Sequence, residues 1–281
     1  MAEQNLRMAA AVAARNPTGA QELGVTTEEM ASWRDSAEAM IVPYDEKLGV
    51  HPQSEGFTEH AVWDFAATPP ENYPLLLHYP YFELYRKQVV KQADLVLALQ
   101  LRGDAFTPEE KDRDFRYYDA LTVRDSSLSA CPQAVVAAEL GYLELAHDYL
   151  AEAALMDIED RNHNTRDGLH LASLAGAWTA LVAGLGGMRA RDGQLTFAPR
   201  LPAGLGRLTF RVVYDGRCIV VRTDGRTATY RVREGAPMTI GHHGELLEVG
   251  GDPVERPIQP LHPLPRPHQP PGREPPRRGQ A

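Results

Sequence analysis

Cysteine is scarce: the 281 residues hold two, Cys131 and Cys218, far apart and outside any metal-like spacing. A disulfide framework is thereby excluded, and a reducing compartment suits the chain. Long apolar runs are missing too, since none approaches the roughly eighteen residues of a membrane span. The apolar start from Met8 to Ala14 has Glu3 ahead of it in place of a basic segment, so it makes a poor signal peptide. Positive charge is in deficit. With 29 lysines and arginines against 38 acids, the formal charge of -9 argues against a general nucleic-acid binder. No spacing matches a phosphate-binding P-loop, a dinucleotide Gly-rich turn, a zinc site or a Gly-x-Ser-x-Gly elbow, so no metal is expected. The expectation is a soluble, cytoplasmic protein with neither membrane nor nucleic acid as partner.

What is present falls into three regimes. Hydrophobic residues make up 43% of the chain, enough for a sizeable core. Residues 1–188 carry helical spacing: Leu6, Ala9, Ala10 and Ala13, then Met30, Trp33, Ala37, Met40 and Ile41. Thr26-Thr-Glu-Glu29 supplies a cap and acids for the start of the second run. The spacing predicts further helices over 87–101, 132–140, 142–156 and 169–185, with Gly141 taking a left-handed helix end. Residues 189–250 switch to a period of two at Leu208, Phe210 and Val212. Asp215-Gly216 and Asp224-Gly225 mark hairpins, and His242-His243-Gly244 marks a closing turn. Residues 251–281 hold ten of the 22 prolines plus Arg256, Arg266, Arg273, Arg277 and Arg278, without aromatics or periodicity. Such composition predicts a disordered tail. Medium helices joined by long polar loops suggest a helical toroid with its chemistry on loops at one end.

Four loop clusters concentrate chemical side chains. Residues 44–64 combine carboxylates, two histidines and aromatics, which suits a sugar's C–H faces and hydroxyls, or else an ordered loop with Phe57 and Trp63 packed inward. Lys91 and Gln92 could reach a pocket from a helix, or be a solvated turn. In residues 117–129, Ser126 and Ser127 precede a helix, where hydroxyls and free amides suit an anion or a plain cap. Arg124 could add a bidentate anion partner. In residues 157–170, His170 at a helix start could meet an anion or a hydroxyl, or act as a structural donor.

Taken in order, these clusters resemble glycoside hydrolase family 65, the maltose, trehalose and kojibiose phosphorylases and related trehalase-type hydrolases. The likeness rests on Val50-His-Pro-Gln-Ser-Glu-Gly-Phe57, Lys91-Gln-Ala-Asp94, residues 117–129 with Asp125-Ser-Ser-Leu-Ser129, Asn164-Thr-Arg-Asp-Gly-Leu-His-Leu-Ala-Ser173 and Gly186-Gly-Met-Arg189. The resemblance implies a mainly α chain: part of an (α/α)6 barrel over 1–188, then a small antiparallel β-sandwich over 189–250. It also implies inverting attack on an α-linked glucose disaccharide. One glutamic acid protonates the glycosidic oxygen while inorganic phosphate, a co-substrate and not a cofactor, attacks from the opposite face. In this pattern Ser126, Ser127 and His170 bind phosphate, and Lys91 and Gln92 hold the glucose.

The chain departs from the family's pattern, which has a Trp-Asp segment lining the glucose subsite and a large N-terminal β-domain that are not among these residues. The Gly-Pro-Asp-Glu-Tyr-like segment that bears the general acid is not among these residues. The expectation is therefore the C-terminal part of such an enzyme, with no catalytic residue of its own and no turnover alone. Its partner would be the missing N-terminal part or a second copy. Trehalose is the first guess at substrate. Phosphorolysis is preferred because both serines and His170 are kept. An inverting hydrolase would want an extra carboxylate, for which Asp119 and Asp125 are nearby, and a non-catalytic sugar- or phosphate-binding remnant is the third reading.

Overall fold

Asn16 and Thr26 punctuate the first helices of the computed structural model, which describes residues 1–261 and 264–277. Asn16 Oδ1 accepts from the Gly19 amide at 3.3 Å, and Thr26 Oγ1 from the Glu29 amide at 3.1 Å. They start α2 (Pro17–Glu22) and α3 (Thr27–Glu38), which follow α1 (Ala2–Arg15). Helix α1 packs on α3, and each buries an alanine, Ala10 and Ala37. Helix α3 ends at Glu38, short of Met40 and Ile41, which the periodicity joined to it. These elements belong to one unit, Met1–Glu55; a second begins at Gly56.

The second unit opens with strand β1 (Ala61–Val62), helix α4 (Tyr81–Leu84) and strand β2 (Lys87–Gln88), which pairs in parallel with β1. The helix expected from Lys87 to Leu101 is thus only half there. Val90 bridges Thr122, accepting from the Val123 amide and donating to the Leu121 carbonyl, and the chain becomes helical only at α5 (Asp94–Leu101). Helix α6 (Pro108–Asp119) starts on a capping box in which Thr107 and Glu110 exchange bonds. Helix α7 (Ala130–Leu140) turns at Gly141 (φ 99°) into α8 (Leu143–Ala154). Helix α9 (Leu171–Thr179) runs on as a π-helical turn over Ala180–Leu185. Val96, Leu99, Phe115, Tyr118, Val136 and Tyr149 form one buried core, with α7 enclosed on nearly all sides.

Helices α7 and α9 lie unusually close. The Cys131 thiol reaches the Ser173 carbonyl at 3.8 Å, and a Cβ on Gly176 would stand 2.0 Å from Cys131 Sγ. Further along, Gly184 faces Ala134, Val135 and Ala138, so the two segments run side by side in one direction. Gly176→Ala is expected to cost about 1–3 kcal/mol through overpacking, with Cys131→Ala in the same chain recovering part of it. Urea unfolding checks this, and an unchanged midpoint for the single variant would refute the close approach.

Strands β3 (Arg189–Arg191), β4 (Gln194–Phe197), β5 (Leu208–Tyr214), β6 (Arg217–Thr223), β7 (Thr227–Glu234), β8 (Met238–His242), β9 (Glu245–Val249) and β10 (Val254–Pro257) follow. They form two sheets, ordered β10-β7-β6-β5 and β3-β4-β8-β9, around Phe197, Ile219, Tyr230, Ile240 and Val249. Pairing is antiparallel except for β4 with β8. Positive φ at Asp215-Gly216 and His243-Gly244 gives the hairpin turns that right-handed strand twist favours. Glu139 ties helices to sheets, accepting from Lys111 and from Arg189.

The tail departs most from expectation. Val254–Pro257 complete a sheet, and described residues as far as Arg273 bond to the helices, so disorder is corrected for that stretch. The expectation for 262–263 and 278–281 lies outside the described residues. Among the described residues no helix is long and apolar enough to cross a membrane, and no group of three His, Cys, Asp or Glu side chains could hold a metal ion.

Candidate functional site

The Val90–Thr122 bridge brings two sequence-distant clusters together. Just past it, Ser126 Oγ donates to Gln92 Oε1 at 2.9 Å, and Gln92 Nε2 donates to Asp94 Oδ1 at 3.0 Å. Lys91 is exposed beside them, its charge acting on Asp125. The Lys91-Gln92 pair therefore sits in a bend just ahead of α5, not in mid-helix. The next residues turn into α7: Leu128 N donates to Ser126 Oγ at 3.3 Å and Ser129 N to the Ser126 carbonyl at 3.2 Å. Ser127 is half-buried within this turn. The Ser129 hydroxyl is fully buried without a partner, and no side chain caps α7.

His170 enters from α9, which likewise lacks a side-chain cap. Asp157, just past α8, accepts from the His170 amide at 2.9 Å and holds Nδ1 at 2.6 Å. That pairing sets Nδ1 as the protonated nitrogen and leaves Nε2 for a ligand. The hydrogen bond to His170 keeps the Asp157 carboxyl below its usual range. Because α7 and α9 run side by side with Cys131 against Ser173, the serine turn and His170 stand at the same end of the helix pair. Each of the two helix starts lacks a side-chain cap, and free amides of that kind suit an anion.

Other sequence candidates resolve differently. Arg124 is no surface anion partner: it is buried, with Nε on Glu152 Oε1 at 3.0 Å and its guanidinium 5.4 Å from the Tyr149 ring centre. Asp119 is fully buried, its Oδ1 accepting from Tyr149 Oη at 2.6 Å and Gln133 Nε2 at 2.8 Å. The Asp125 side chain is 1% exposed, with one oxygen taken by the Leu75 amide at 2.7 Å and the other by Arg273 at 2.8 Å. Neither offers a carboxylate to activate water. In the 44–64 cluster, Asp45 Oδ1 closes a local turn on the Lys47 and Leu48 amides. Phe57 stacks on Tyr118 and Trp63 packs edge-on against Tyr79, so the inward-packed alternative holds for both. An apolar cavity of about 260 Å³ lies beside Gly141, at the other end of α7 from the serine turn.

Two partners escaped sequence reading. Asp157 and His170 are thirteen residues apart with no local signal linking them. Arg273 contacts Asp125 across 148 positions, out of a segment whose composition spoke only of disorder.

Residues 1–179 match the family model of the glycosyl hydrolase family 65 central catalytic domain, and residues 188–249 match that family's C-terminal domain. An uncharacterized glycosyl hydrolase of Mycobacterium leprae is 54% identical over 98% of this chain and 35% of its own length. The α,α-trehalose phosphorylase of Geobacillus stearothermophilus is 39% identical over 91% of this chain and 34% of its own. A solved structure of a candidate kojibiose phosphorylase from the human microbiome superposes with a TM-score of 0.77 at 24% identity, over 86% of this chain and 32% of that one. The chain thus spans about a third of the length of these relatives.

Proposed function

Because the chain belongs to glycosyl hydrolase family 65, we propose that it carries the phosphate- and glucose-binding side of an enzyme that phosphorolyses an α-linked glucose disaccharide with inversion. In that reaction a phosphate oxygen attacks the anomeric carbon from the face opposite the glycosidic oxygen. The C–O bond breaks, and the leaving oxygen takes a proton from a glutamic acid outside these 281 residues. Trehalose is the disaccharide proposed. Helices α5 to α9 are read as part of an (α/α)6 barrel that meets its remainder elsewhere in the complete enzyme.

The observation that supports this reading is that the Ser126-Ser127 turn leads into α7 and His170 into α9, two helices that run side by side in one direction. The Ser127 hydroxyl can donate to a phosphate oxygen, and the Ser126 hydroxyl does so by turning its one proton away from Gln92 Oε1. Asp157 holds His170 Nδ1, which leaves Nε2 to exchange a hydrogen bond with phosphate. Gln92, bonded to Ser126, links this site to Lys91 on the glucose side. The engagement of Asp119 and Asp125 supports phosphate over water as nucleophile, since phosphate brings its own oxygen and needs no second carboxylate.

Titration of the chain with inorganic phosphate, followed by calorimetry or phosphorus NMR, tests this. Each hydrogen bond to a charged group is worth about 1.5–3 kcal/mol, so S126A/S127A is expected to weaken phosphate binding by about 100-fold or more. Trehalose with phosphate should give no glucose 1-phosphate from this chain alone. A chain indifferent to phosphate, or a double variant that binds as the parent does, would remove the reading.

A further inference from the structure

We propose that Arg273, in the proline- and arginine-rich C-terminal segment, is a positioning residue that holds the Val123–Ser127 turn in its ligand-receiving shape. The proposal rests on the reading above that this turn receives phosphate.

The segment follows a definite path over the helices. Leu261 and Leu264 pack by Gly141, where a Cβ would stand 3.4 Å and 3.7 Å from their methyls. Arg266 Nη1 then donates to the buried carboxylate of Asp148 at 2.7 Å, and buried Gln269 donates to Tyr149 Oη. The path therefore runs down α8, away from the cavity and toward the end of α7 where the serines lie. It closes at Arg273, whose own amide is fixed by the Pro270 carbonyl at 3.0 Å.

Arg273 grips three consecutive residues. Its Nε donates to the Val123 carbonyl at 2.7 Å and its Nη2 to Asp125 Oδ1 at 2.8 Å, while its carbonyl accepts from Arg124 Nη2. Its guanidinium carbon lies 4.5 Å from the centre of the Tyr73 ring, which fixes the plane of the fork. Between the two gripped neighbours, Arg124 has φ 54°, in the left-handed region that non-glycine residues rarely adopt. Such a conformation persists only where its surroundings over-determine it, and this clasp does so on both sides. Ser126 follows directly.

Charge points the same way. Asp125 would place a bare carboxylate next to Ser126 and repel a phosphate dianion, and Arg273 neutralises it within hydrogen-bond distance. A lysine could supply the charge but not the planar fork that serves the Val123 carbonyl, the Asp125 carboxylate and the Tyr73 face together.

The test compares phosphate and glucose affinities of the full chain with those of R273A, R273K and R266A. R273A should weaken phosphate by about 10–100-fold with glucose affinity little changed, as expected for loss of charge-assisted bonds that shape one subsite. R273K should fall between parent and R273A. R266A cuts the same segment from Asp148 but leaves the turn gripped, so it should lower the melting temperature and keep the parent's phosphate affinity. A parent chain that binds no phosphate would sink the functional reading itself. If the parent binds and R273A matches it, or R266A weakens phosphate as much as R273A, positioning by Arg273 is wrong and the phosphate site stands. Should R273A fail to fold, R273K decides, and parent-like phosphate affinity there overturns the proposal.

Discussion

Glu152→Ala is expected to lower stability by about 3–5 kcal/mol, the cost of leaving a buried cation without its partner. Arg124 and Glu152 lie at 3.0 Å with side chains only 5% and 13% exposed. Burial works against the charge on Arg124, and Glu152, Tyr149 and Asp119 together outweigh it, so the guanidinium is held above its ordinary range. Without that carboxylate, Arg124 keeps the Arg273 carbonyl and the Tyr149 face, but Nη1 is already without a partner. Glu152→Gln retains an acceptor and should lose less. The double variant R124M/E152L, which removes both charges, should recover much of the loss, because a well-packed apolar pair often replaces a buried ion pair at little cost. Equilibrium urea unfolding of the three variants measures these differences. A Glu152→Ala chain within about 1 kcal/mol of the parent would mean that water reaches Arg124.

Asp119→Asn is expected to remove a pH dependence and to stabilise the protein at neutral pH. Burial pushes the Asp119 carboxyl up to about 6, against the pull of Tyr149, Arg124 and Gln133. An aspartate in the unfolded chain ionises near 3.9. Between about pH 4 and 6 the unfolded state has therefore lost a proton that the folded state still holds, and stability falls as pH rises through that window. By pH 7 the penalty amounts to about 3 kcal/mol, two pKa units at about 1.4 kcal/mol each. Asparagine keeps an acceptor for Tyr149 and Gln133 and titrates nowhere. Its Nδ2 replaces Oδ2, which has no partner, in a cluster where Gln133 Oε1 also has none. The stability of Asp119→Asn relative to the parent should then rise by about 3 kcal/mol from pH 4 to pH 7. A difference that stays flat over that range would mean Asp119 is ionised in the folded protein at pH 4.

Both predictions concern polar groups inside the helical core, where sequence reading had little purchase. Asp119 and Arg124 stood out in the serine cluster as surface chemistry, a spare base and an anion partner. Their burial depends on Tyr149, Gln133 and Glu152, which reach them from α7 and α8. Lys87 to Ala93 misled for a related reason. Its composition permits a helix, but backbone pairing with Ala61–Val62 and Thr122 holds it out of the helix, and that pairing is what sets Gln92 against Ser126.

What the amino-acid sequence determined by itself is local or motif-borne. The cap at Thr26, the left-handed Gly141 and the Asp-Gly and His-Gly turns act within a few residues, so their chemistry can be read in place. The order of the serine, lysine-glutamine and histidine motifs likewise pointed to the family that the comparisons identify. Tertiary structure alone decided that Gln92 meets Ser126, that Asp157 steadies His170, and that described residues of the proline-rich tail bond to the helical unit. Composition reflects only the apolar area the tail could bury in itself. It could not count Asp148, Tyr149 and Asp125, buried polar groups on distant helices that Arg266, Gln269 and Arg273 satisfy.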